Sequence, residues 1–115
     1  MTDCVFCQIV AGDAPATILE RWPDAVAIEP LNPVVPGHVL IIPKAHVWSF
    51  VEDPTVSAAA MARAARFAGQ LRMPGEGVNL ITSAGEAATQ TVFHLHIHLV
   101  PRELDDSVSL PWDVR

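Results

Sequence analysis

Near its C-terminus the sequence places three histidines on alternate positions of an apolar run, His94-Leu95-His96-Ile97-His98. In an extended strand residues i, i+2 and i+4 share one face, roughly 7 Å apart per step. His94, His96 and His98 therefore point one way, with Val92 beside them. Phe93, Leu95, Ile97 and Leu99 point the other way, toward a core. A half-exposed strand needs polar residues outside, but histidine has no special strand propensity, and the chain has only five histidines. Two kinds of chemistry use such a row. Imidazoles hold metal ions, and a three-histidine site leaves an open position for water. Alternatively, one neutral imidazole attacks an electrophile while its neighbours manage protons and charge. His96-Ile97-His98 followed by Glu103 also matches the H-x-H-x4-E ligand set of cupin-like barrels. The glycines around that set are missing, and too little chain follows for the remaining strands. A second cluster, Cys4-Val5-Phe6-Cys7, reads as redox-active or metal-binding. The redox reading expects a buried strand before the pair, where only three residues stand; the metal reading needs two further ligands.

The elements that must carry these residues are short and punctuated by ten prolines. Phe6–Ala11 reads as one or two helical turns closed near Gly12, and Thr17–Arg21 and Ala25–Glu29 as strands around Trp22-Pro23-Asp24. His38–Ile42 is a β-branched strand ending at Pro43. Asp53 as N-cap and Pro54 in the first turn open a long helix whose buried stripe is Val56, Ala60, Ala64, Phe67 and Leu71, stopped by Pro74-Gly75. Val78–Thr82 is a strand, Ser83–Thr89 a loop around Gly85, and Val92–Val100 the last strand, ended by Pro101. The tail from Arg102 is irregular, with Pro111-Trp112 expected to cover part of the fold. The expected class is α+β: an antiparallel five-stranded sheet with one long and one short helix.

A chain of 115 residues suggests a single domain, 1–115, with a modest core. Half its residues are hydrophobic and 17% are charged, a folded rather than disordered balance. No apolar run approaches the roughly 20 residues of a membrane span. The polar start Met1-Thr2-Asp3-Cys4 is unlike a secretory leader, so a cytoplasmic protein without a membrane partner is the default expectation. A net charge of −6, with seven scattered lysines and arginines, argues against duplex nucleic acid. One phosphate group held by a few donors remains compatible. The chain has no tyrosine, which excludes mechanisms that need one.

The run His94-Leu95-His96-Ile97-His98-Leu99-Val100 resembles the HφHφHφφ signature (φ apolar) of the histidine triad family. The resemblance extends in order over nearly the whole chain. It includes Cys4-Val5-Phe6-Cys7-Gln8-Ile9-Val10, the stretch from Asn32-Pro33 through Pro36-Gly37-His38 to Pro43-Lys44-Ala45-His46, and Thr89-Gln90-Thr91-Val92-Phe93. It implies a nucleotidyl hydrolase or transferase that cleaves nucleoside 5′-phosphoramidates or related nucleoside phosphate conjugates at the α-phosphorus. His96 would be the nucleophile, His98 and His38 donors to the phosphate, Thr91 a hydroxyl serving the leaving amine, and Gln90 a further phosphate contact. An imidazole with a pKa near 6.5 is largely neutral and nucleophilic at neutral pH, and no metal is needed for that chemistry. The base and ribose would be met by Val5, Phe6, Ile9, Ile28 and Leu31, an apolar set suited to a nucleobase.

Members of the family commonly carry an aspartate for the ribose hydroxyls where this chain has Pro30, and an asparagine where it has Ser83. Glu29 substitutes only if the backbone twists there, because successive strand residues face opposite ways. The resemblance further implies a structural zinc held by Cys4, Cys7, His46 and His94, a closed tetrahedral set whose binding is coupled to folding. It also implies a homodimer formed through the long helix and a sheet edge. Two rival functions remain at this stage: a nucleotide-binding module without turnover, and a zinc hydrolase that uses the triad itself as ligands.

Overall fold

The computed structural model describes residues 3–70 and 77–113. Its elements are α1 (Val5–Ala11), β1 (Ile18–Arg21), β2 (Ala25–Ile28), β3 (Val39–Pro43), α2 (Pro54–Gln70), β4 (Gly77–Ile81), a 3-10 turn (Glu86–Ala88) and β5 (Ile97–Arg102). The strands form one antiparallel sheet in the order β1-β2-β3-β5-β4. The sheet has two useful faces. On one, Val39, Ile41, Ile97 and Leu99 pack with Leu95 against Ala60, Ala64 and Phe67 of α2. On the other, Val26, Ile28, Leu40 and Ile42 pack against Phe6 and Ile9 of α1. β2 and β3 are buried throughout because both faces are covered.

Local chemistry explains both helices. Asp53 Oδ1 accepts from the N–H groups of Thr55 and Val56, capping α2, and Pro54 takes the first helical position, where no N–H is required. Alanines at 60 and 64 let α2 lie close on the sheet, and Phe67 meets Trp22 edge-on at 5.8 Å between ring centroids. Leu71 and the Pro74-Gly75 stop lie outside the described residues. In α1, Cys4 is the N-cap and its Sγ accepts from the Cys7 N–H. Gly12 closes the helix at φ 82°, with its N–H bonded to Ile9 O and that of Asp13 to Gln8 O. This is a left-handed cap that glycine adopts without steric cost.

The last strand differs from the expectation. β5 begins at Ile97, not Val92, and runs through Pro101 to Arg102. Residues 92–94 bend, because Gln90 Nε2 holds Val92 O at 3.1 Å and the Leu95 N–H bonds to Val47 O at 2.8 Å. The bend breaks the alternation, so Phe93 is 47% exposed instead of facing the core. Val92 does pack on the α1 side. Pro101 is tolerated inside the strand because β3 stops pairing at Val39–Leu99, leaving no ladder on that side for the missing N–H. The chain passes closely there: a Cβ on Gly37, at φ 87°, would lie 3.1 Å from Pro101 Cγ. Trp112, expected to cover part of the fold, is 73% exposed.

Phe67→Ala is expected to lower unfolding free energy by about 3–5 kcal/mol, the usual cost of emptying a buried aromatic site. Urea denaturation with an unchanged m-value checks it.

Candidate active site

The histidines arrive on one face by register. His98 pairs with Leu40 and with Ile81, and cross-strand partners share a face, so the triad lies on the α1 side of the sheet. His96 and His98 meet His38, which precedes β3, in a cleft of about 350 Å³ whose lining also includes Thr89, Gln90 and Ser83. Thr82 Oγ1 donates to His96 O at 2.7 Å and holds the strand's approach in place.

Hydrogen bonds define the proton positions. His96 Nδ1 lies 2.8 Å from His94 O, and a carbonyl only accepts, so Nδ1 carries the proton and Nε2 keeps its lone pair. The Val34 N–H donates to His38 Nδ1 at 3.0 Å, which leaves His38 Nε2 as the protonated nitrogen. Nε2 in turn donates to His98 Nδ1 at 3.0 Å, so neutral His98 presents its own Nε2–H. A lone pair on His96 and a donor on His98 thus stand side by side, with ring centroids 5.1 Å apart. Phe6 buttresses His96 edge-on at 5.0 Å. Burial lowers the pKa of His96, opposed by its bond to His94 O, and burial likewise lowers that of His38. His98 falls furthest, to about 4, through burial first and then the neighbouring imidazoles His96 and His38.

A second cluster lies behind the row. Cys4 Sγ, Cys7 Sγ and one ring nitrogen each of His46 and His94 all fall within 4.8 Å of one another. His94 is fully buried, and its Nε2 donates to Pro43 O at 2.7 Å, so its Nδ1 brings a lone pair to the cluster. Nδ1 is 3.4 Å from Cys4 Sγ, 3.5 Å from Cys7 Sγ and 3.2 Å from His46 Nδ1, and Cys7 Sγ is 3.1 Å from His46 Nδ1. A tetrahedral ion with bonds of about 2.0–2.3 Å has ligand–ligand edges of about 3.3–3.8 Å. The spacing and the soft donor set therefore fit a metal ion. His94 faces this cluster and not the cleft.

The remaining expected residues divide. Phe6, Ile9 and Ile28 are buried in the core beneath α1; Val5 is 42% and Leu31 97% exposed. Pro30 lines the cleft. Glu29 lines an adjoining pocket of about 270 Å³ that shares Pro30 and His38 with it. Gln90 lines the cleft, but its side chain serves the loop, with Nε2 donating to Trp48 O and Val92 O and Oε1 accepting from the Gly85 N–H. Thr91 is exposed and outside the lining, where Thr89 stands instead. Sequence reasoning missed Thr82, Asn79 and Arg102. The signal for the last was an arginine at a strand end with acidic residues following within four positions.

A five-stranded antiparallel sheet that presents alternate histidines to a cleft, backed by a thiol–imidazole cluster, defines the class. The HIT domain family matches residues 11–105. The chain belongs to that family. It is 37% identical over 107 residues to adenylylsulfatase HINT3 of Arabidopsis thaliana, covering 90% of this chain and 54% of that protein. Against protein hit of Bacillus subtilis the identity is 35% over 103 residues, covering 87% and 71%. Among solved structures it resembles a HIT family hydrolase from Clostridium thermocellum (TM-score 0.82, 37% identity, 96% of this chain and 98% of that one). It also resembles a Zn-bound histidine triad family protein from Mycobacterium smegmatis (TM-score 0.80, 40% identity, 93% and 80%). No helix among the described residues is long and apolar enough to cross a membrane.

His98 contributes to the pH dependence of stability. The unfolded chain takes up a proton there near pH 6.5, the folded chain only near 4. Below 6.5 the unfolded state binds more protons, so this contribution is complete above 6.5 and is lost as pH falls toward 4. His98→Gln is expected to flatten the pH dependence of the unfolding free energy across that window, measured by urea titration at each pH.

Proposed function

We propose that the protein is a nucleotidyl hydrolase or transferase that cleaves nucleoside 5′-phosphoramidates, or related nucleoside phosphate conjugates, through a nucleotidyl-His96 intermediate. One observation carries the reading: the cleft holds a neutral imidazole with its proton pinned to a backbone carbonyl, beside a second imidazole pinned as a donor. His96 Nε2 attacks the α-phosphorus and the bond to the leaving nitrogen breaks. The leaving amine takes one proton, which we route through solvent because Thr91 stands outside the cleft lining. His98 Nε2–H donates to a phosphoryl oxygen that gains charge in transit, with His38 fixing its tautomer. Water then attacks the phosphorus, releases His96 and the nucleoside monophosphate, and returns one proton to solvent. The Arabidopsis relative, an adenylylsulfatase by name, supports a nucleotidyl conjugate as the substrate class.

In the same reading the nucleoside lies toward Pro30, with Glu29 nearest the ribose; Phe6, Ile9 and Ile28, expected to meet it directly, are packed in the core and support that wall from behind. Zinc occupies Cys4, Cys7, His46 and His94 as a structural ion, consistent with the Zn-bound neighbour from Mycobacterium smegmatis. It supplies cross-linking of the N-terminus to the sheet and no part of the reaction. We infer a cytoplasmic homodimer formed through α2 and a sheet edge.

Incubation with a nucleoside phosphoramidate is expected to yield free monophosphate and a mass adduct on His96. His96→Ala removes both, and His98→Ala lowers kcat by roughly 10²–10³, the scale for losing one preorganised donor. No monophosphate and no adduct on the wild type would leave a binding module instead.

A strong chelator is expected to lower Tm by about 10 °C, from about 3 kcal/mol of lost linkage in a domain of this size. Turnover persists below the new transition, and Cys7→Ser reproduces the shift in calorimetry. Abolished turnover with an unchanged melting curve would mean that the ion performs the chemistry.

A further inference from the structure

The loop between β4 and β5 holds a strained residue at the edge of the cleft. Thr89 has φ 70° and ψ 20°, in the left-handed region. Among the described residues three that are not glycine lie there, and Thr89 is the only β-branched one. Branching at Cβ makes this conformation a true outlier. The surrounding loop imposes it. The Ala88 and Gln90 N–H groups both bond to Gly85 O at 3.1 Å, and the Thr89 N–H bonds to Glu86 O at 2.9 Å. Gln90 is buried, and its side chain is tied to Gly85, Trp48 and Val92. The loop therefore closes on itself and turns at position 89, where glycine would fit without strain. Strain of this kind gathers at functional sites, where a side chain is worth its cost.

Thr89 lines the same cleft as His96, and the loop leaves and rejoins the strand beside that histidine: Thr82 Oγ1 donates to His96 O, and Gln90 Nε2 to Val92 O. The Thr89 hydroxyl is committed. Oγ1 donates to Ala88 O at 2.5 Å, so it turns lone pairs, and no proton, toward anything else. Other polar side chains of the lining differ. Gln90 is engaged within the loop, and Asn79 Oδ1 accepts from Arg102 Nη1 at 2.7 Å. Ser83 and Ser109 bring hydroxyls that no hydrogen bond fixes among the described residues. Thr89 is thus a fixed acceptor, and it is exposed, where water reaches it.

The two steps of the reaction need different things. In the first, His96 attacks with a lone pair that is already free. In the second, the nucleophile is water, which attacks better when an acceptor takes one of its O–H groups. That water approaches phosphorus from the side opposite His96 Nε2, because His96 is then the group that leaves in line. We propose that the Thr89 hydroxyl orients this water on the nucleotidyl-His96 intermediate, and so commits the intermediate to hydrolysis over transfer to another nucleophile. The proposal rests on the nucleotidyl-transfer reading above. The water oxygen bonds to phosphorus, the phosphorus–Nε2 bond breaks with its electron pair returning to His96, and one water proton passes to solvent. Thr89 keeps its own proton on Ala88 O.

The test follows the His96 adduct of the whole protein by rapid quench and mass spectrometry, with a nucleoside phosphoramidate as substrate. Thr89→Val is expected to form the adduct at the wild-type rate and to lose it to water about tenfold more slowly, the worth of one hydrogen bond made in the transition state. Thr89→Ser keeps the hydroxyl and restores the decay. Thr89→Gly removes hydroxyl and strain together, giving decay as slow as in Thr89→Val and a Tm raised by a few degrees. Added hydroxylamine, whose attacking lone pair is already free, discharges the adduct equally fast in wild type and Thr89→Val. Wild-type decay in Thr89→Val would overturn the inference, while the adduct itself upholds the function. Slower adduct formation with unchanged decay would overturn it too, moving Thr89 to the leaving amine. So would hydroxylamine discharge slowed as much as hydrolysis, which would put the effect on the intermediate and not on water. No adduct on the wild type would overturn both readings.

Discussion

The carbonyl of His94 decides which nitrogen of His96 carries a proton. Without that acceptor the ring would share its proton between two tautomers, and only one of them offers the lone pair to the cleft. The carbonyl can do this because His94 is itself held in place by its contacts. Its ring is fully buried, held by Pro43 O on one side and facing two thiols and His46 on the other. The chain segment that sets the chemistry of the nucleophile is thus anchored by atoms that take no part in that chemistry.

The two-faced sheet makes the arrangement possible. Leu95, Ile97 and Leu99 send their side chains into the packed side under α2, which fixes the register of the strand. The opposite face is divided: α1 covers β2 and β3, while β5 and β4 stay open over the cleft. Polar function is therefore confined to a region where the floor is rigid and the cover incomplete. Burial enough to keep the imidazoles neutral coexists with access for a ligand.

Much of this was legible because it is local. The Asp53 cap, the alanine stripe of α2, the Gly12 stop and the alternation from Leu95 to Leu99 each follow from a few neighbouring residues. So does the approach of Cys4, the N-cap, to Cys7, in the first turn of α1; that His46 and His94 would join them came from family resemblance, not from spacing. What escaped was set by distant partners. The bend at residues 92–94 depends on Val47 and on the Gln90 amide reaching Trp48, so no periodicity could report it. Thr91 was expected at the leaving group from family resemblance, and with the strand beginning only at Ile97 it stands outside the cleft lining. The tail from Arg102 read as irregular because Asn79, which holds the Arg102 guanidinium together with Asp106, lies on another strand.

The absence of a side chain at Gly37 has a mechanical consequence. This residue precedes His38 on one rim of the cleft and faces Pro101, the neighbour of Arg102 on the other, with room for a hydrogen but not for a methyl group at rest. The segment that delivers His38 and the strand that delivers His98 are spaced by this contact, and a side chain at position 37 would push Pro101 aside by a few tenths of an ångström in addition to straining its left-handed backbone.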